Sequence, residues 1–180
     1  MSFLDNLTLD HRQTLVRLPY RVGLWISQCD SVGGNTADER ERQALYNILH
    51  GFAEDMFGAE AIQYIMSETI RQKADWENWG SNIDMVPNEC RDAIDLLREH
   101  TDPKDAKAFK THLMEIAEAV ALAFREDESV SVFSMFGMYV NYVLAPKEKG
   151  RRKKSFTEFL NISANERKAL STIAQALEAA

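Results

Sequence analysis

Asp30–Leu49, DSVGGNTADERERQALYNIL, is the stretch from which the rest of the chain is read. It opens as an acidic turn, Ser31–Thr36, in which Gly33-Gly34-Asn35 accept the positive φ angles that reverse a chain. Asp38 then has Glu41 three residues on, the spacing of a capping box with Asp in place of the usual Ser or Thr. Behind it Ala44, Leu45, Ile48, Leu49, Phe52, Ala53 and Met56 recur at heptad-like intervals, which predicts a helix running toward Gly58.

Upstream, Leu15, Leu18, Val22, Trp25, Ile26 and Cys29 keep a helical period. Pro19 falls inside that pattern and removes a backbone donor, so a short helix, a kink or break, and a second helix are expected there. Downstream, Ile62, Ile65, Met66 and Ile70 lead toward Trp76 and Trp79, whose rings are expected to close the core. Gly80-Ser81-Asn82 interrupts the pattern, and Pro87 suits the first turn of a helix that buries Cys90, Ile94 and Leu97.

Thr101-Asp102-Pro103 opens a long helix with Phe109, Leu113, Ile116, Ala117, Val120 and Phe124 on one face. The segment 129–144 is apolar almost all round, the pattern of a helix buried on most sides, although its Val and aromatic content also suits a strand. Ser163 and Glu166 repeat the capping-box spacing ahead of Leu170, Ile173, Ala174 and Leu177. No run alternates with a period of two, so the chain reads as all-α, about seven helices in one compact bundle spanning 1–180. A chain of 180 residues buries roughly 70% of the surface of its unfolded state, which is enough for a core without staples.

The net charge of -7 and pI of about 5.2 argue against a dedicated nucleic-acid binder, which needs a basic footprint. Cys29 and Cys90 stand far apart with no CxxC, and are read as reduced thiols in a cytosolic protein. The N-terminus lacks the basic and apolar regions of a signal peptide, and 129–144 falls short of the ~20 apolar residues that span a bilayer. His11, His50, His100 and His112 form no paired Glu-x-x-His motif and are expected at the surface or at helix ends. There is no GxSxG and no Gly-rich phosphate loop, so the reading is of a non-enzymatic domain.

An internal echo links the two ends of the chain. Glu41-Arg42-Gln43-Ala44-Leu45 matches Glu166-Arg167-Lys168-Ala169-Leu170, and Val22–Asp30 matches Val120–Asp127, each an apolar helix running into acid. Two capped amphipathic helices resemble each other for that reason alone. If the echo is real, halves 8–80 and 87–180 are related by a pseudo-twofold. In these residues, and in Phe159–Ser163 leading to Leu177, the chain resembles the TerB-like family of helical domains associated with tellurite resistance. It has Asp30-Ser31 where that family usually shows Asp-Gly.

The resemblance implies a link to tellurite and stress resistance and a weakly held divalent metal ion, with Asp30, Asp38, Glu41, Asp127 and Glu166 as its contacts. A hard cation wants several oxygens, and an acidic turn closing on a helix offers them. The same spacings of Asp38 and Glu41 also serve helix capping, with Asp30 solvated. The other functional reading is an interaction adaptor, with a homodimer among its forms. Its means are the segment 129–144 and the basic loop Lys147, Lys149, Arg151, Arg152, Lys153 and Lys154, which suits an acidic protein partner or an anionic surface.

Overall fold

The computed structural model describes residues 3–30, 35–54, 60–123 and 164–180, and of residues 30, 35–41 and 54 the backbone path alone. Every regular element among them is helical, as the absence of two-residue alternation required. The α-helices are α1 Leu9–Ser27, α2 Asn35–Glu54, α3 Glu60–Arg71, α4 Val86–His100, α5 Pro103–Ala123 and α6 Ala164–Ala179. Short 3-10 turns fill Phe3–Asn6, Gln28–Asp30, Lys73–Gly80 and Ile83–Met85.

The helices stack in three layers. α1 and α5 pack on each other in the middle, α2 and α3 cover one side of them, and α4 and α6 cover the other. A middle layer must be apolar on more than one face, and α5 meets that demand. Phe109, Leu113, Ile116, Ala117, Val120 and Ala121 are completely buried, while its small alanines let neighbours approach closely. The three helices crowd at Gly23 of α1, where an added Cβ would run into the Leu45 side chain of α2 and lie 3.4 Å from Val120 of α5. Outer helices bury one stripe only, as α4 does with Val86, Cys90, Ala93, Ile94 and Leu97.

Two helix boundaries differ from expectation. Pro19 lies within α1, which runs unbroken from Leu9 to Ser27, so no break divides it. A proline cannot serve the carbonyl four residues back, here that of Leu15, and usually disturbs the carbonyls beside it. Thr69 of α3 brings its hydroxyl to 2.6 Å from the adjacent Val16 carbonyl and 2.9 Å from the Ile65 carbonyl of its own helix, so α3 packs a polar group beside this turn of α1. The second difference is at α2, which begins at Asn35 rather than at Asp38. An acid in the first turns meets the positive end of the helix as favourably as one in the cap, so the acidic spacing did not fix the first residue.

Two further expectations hold. Pro87 stands in the first turn of α4, and Trp76 and Trp79 are buried. The Trp76 indole donates to the Thr69 carbonyl at 3.0 Å, and its ring stacks on Tyr20 with centroids 4.5 Å apart. No described helix is long and apolar enough to cross a membrane. The segment 129–144, Asp127 and the basic loop 147–154 lie outside the described residues.

Candidate functional site

The acidic corner is built where α1 ends. Gln28–Asp30 form a 3-10 turn after α1, and this turn packs against α6. Glu166 is the third residue of α6 and is buried, 6% exposed. The elements that carry Asp30 and Glu166 therefore meet, although they are far apart in sequence. Asp38 and Glu41 stand on the first two turns of α2, in the opposite layer. Among the described residues no three His, Cys, Asp or Glu side chains converge as a metal site would require. The side chains of Asp30, Asp38 and Glu41 and all of Asp127 fall outside that set.

The Cys90 thiol is not set up for nucleophilic work. Burial, and after it the neighbouring charge of Glu89, pushes the Cys90 thiol up to about 12, far from the thiolate that reacts. Cys29, half-buried at the corner, lies with its Sγ 3.2 Å from the Trp25 carbonyl.

A second feature is an open groove of about 390 Å³ along α1, walled by Ser81, Asn82 and Glu89. Its inner end is Arg21, buried at 5% exposure. Nε and Nη2 of Arg21 grip the two oxygens of Glu89 at 2.7 and 2.9 Å. Its remaining donors reach the carbonyls of Trp79, of Ser81 at 2.8 Å and of Asn82 at 3.0 Å. A guanidinium has five N–H groups, and all five are used. Arg21 is thus a clamp that fixes the turn after Trp79, including the left-handed Asn82 (φ 50°), to α1 and α4, and it has no donor left to offer a ligand.

The third feature lies on α5. His11 and His100 are exposed and His50 half-buried, but His112 is buried at 5% exposure, contrary to the expectation of a surface histidine. Its ring meets Phe52 of α2 edge-on with centroids 5.1 Å apart, and its Nδ1 lies 3.5 Å from Glu115 Oε2. Nε2 is buried with no hydrogen-bond partner among the described residues. One turn further, Glu118 has its carboxyl pushed up to about 7, first by burial and then by the charge of Glu115.

Pattern reading missed Arg21 and His112 for different reasons. Arg21 takes its acceptors from residues 58 to 68 positions away, which no local spacing reveals. His112 carried a signal, since it lies three residues after Phe109 and beside Leu113 on the apolar stripe of α5. Comparison of the chain with protein-family models, with curated proteins and with solved structures finds no match.

Proposed function

We propose that this chain is a non-enzymatic helical domain of TerB-like type, linked by that resemblance to tellurite and stress resistance, that binds a divalent cation weakly at its acidic corner. The observation that carries the reading is the packing of the Gln28–Asp30 turn against α6, whose first turn bears the buried Glu166. Carboxylates brought together at the end of a helix repel one another, and a hard cation with oxygen ligands relieves that repulsion. The resemblance also implies Asp38, Glu41 and Asp127 as contacts, of which Asp38 and Glu41 stand on α2 in the opposite layer. Calorimetric titration with calcium, manganese and zinc tests the reading. Binding heat and a raised melting temperature are expected, both lost in Asp30→Asn and Glu166→Gln. No heat and an unchanged melting temperature with all three ions would remove the cation and leave the adaptor reading in its place.

A further inference from the structure

Every three or four residues along α1, at Asp10, Gln13, Arg17 and Arg21, a polar side chain lines the open groove. The two arginines are used differently. Arg21 has every donor engaged, whereas Arg17 engages only Nε, which donates to Gln13 Oε1 at 2.9 Å. Gln13 donates in turn to Gln72, just past α3, at 3.4 Å, and the Arg17 Cζ lies over the Trp79 ring, 5.9 Å from its centroid. A guanidinium tied at Nε and backed by an indole keeps its outer edge in place. The N–H groups of that edge, on Nη1 and Nη2, have no partner among the described residues.

A second open charge lies in the same groove. Asp10 stands about 10 Å of helix rise before Arg17, and its carboxylate has no partner among the described residues. Arg17 reaches back along the helix to meet Gln13, yet it forms no ion pair with Asp10. Arg21 and Glu89 answer each other, so the lining presents one open cation and one open anion at different levels of a single helix. A simple anion would satisfy Arg17 and be repelled by Asp10. A molecule with a positive and a negative end satisfies both.

We propose that this groove binds a short zwitterionic peptide, a dipeptide with an apolar side chain, its carboxylate on the outer edge of Arg17 and its amino group on Asp10. Two residues carry their terminal charges up to ~7 Å apart, which suits a span that the Arg17 side chain shortens by reaching back. The groove's volume of about 390 Å³ lies within the ~300–1,000 Å³ of small-molecule sites. On the facing wall Asn82 is fixed by its carbonyl to Arg21, and its carboxamide, unengaged among the described residues, offers a donor and an acceptor to the peptide unit. Leu9, 72% exposed at the rim, gives an apolar side chain a surface to cover.

The test is a titration of the full chain with alanyl-leucine, followed by proton–nitrogen-15 spectra in chelator so that no cation at the acidic corner contributes. Saturable shifts of the Arg17 Nε–H and of the Ser81 and Asn82 amides are expected at millimolar dipeptide. Arg17→Gln and Asp10→Asn, both at exposed positions, are each expected to keep the wild-type melting temperature and to weaken binding ~10-fold or more. Capping the ligand probes the same two contacts without a variant. The N-acetyl and the C-terminal amide forms of the dipeptide are each expected to bind ~10-fold or more weakly than the free form. Shifts that do not saturate, variants that bind as wild type does, or capped forms that bind as tightly as the free dipeptide would each overturn the site.

Discussion

Arg21 and His112 are hidden to the same degree, each 5% exposed, and each faces a glutamate on or near its own layer. Their surroundings differ in kind. Arg21 has a bidentate partner in Glu89 and three carbonyls for its other donors, so its charge is fully answered. His112 has one long polar contact at 3.5 Å and a buried nitrogen with no hydrogen-bond partner among the described residues. Burial alone would class the two together. Counting donors against acceptors separates a side chain whose polar atoms are all answered from one that leaves a buried acceptor unpaired.

Breaking the saturated node should have the largest effect. Arg21→Met strands Glu89 and three backbone carbonyls at once, and removal of one partner of a buried pair costs about 3–5 kcal/mol. Urea unfolding at neutral pH reads this as a lower midpoint with an unchanged slope.

Glu68 sharpens the contrast from the opposite direction. The Arg71 hydrogen bond, with Gln72 and Arg12 behind it, holds its carboxyl down at about 2 against an ordinary 4.5. Its stabilising contribution is therefore present above pH about 4.5 and is lost as pH falls toward about 2, the reverse of Glu118. Glu68→Gln should cost about 1 kcal/mol at neutral pH and nothing at the acid limit, measured by urea midpoints at both. The smallest effect belongs to the unsaturated node. His112→Leu removes an orphaned polar atom along with a weak contact, and is expected to stay within about 1 kcal/mol of wild type at neutral pH.

What could be read from sequence follows the same division. Stripes that repeat locally were legible, as with Cys90, Ile94 and Leu97 on α4 or Phe109 through Val120 on α5, because a helix states its buried face every three or four residues. The continuity of α1 through Pro19 was not legible, because it is decided by the helices packed around that turn, among them α3 with Thr69, 53 residues on from Val16. The Arg21 clamp was hidden for the same reason. Among the described candidate cation contacts, Asp30 and Glu166 stand on elements that pack together, and that meeting depends on packing between the end of α1 and α6. The echo between Glu41–Leu45 and Glu166–Leu170 suggested a relation between the two ends of the chain, but no spacing within either could supply the contact itself.

The most direct measurement is a pair of double-mutant cycles on unfolding free energy at neutral pH, one for Arg21 with Glu89 and one for His112 with Glu115. A coupling of about 3 kcal/mol or more is expected for the first pair and under about 1 kcal/mol for the second. Equal couplings, or a stronger one at His112, would contradict the claim that one buried basic side chain fixes the fold while the other is only weakly held.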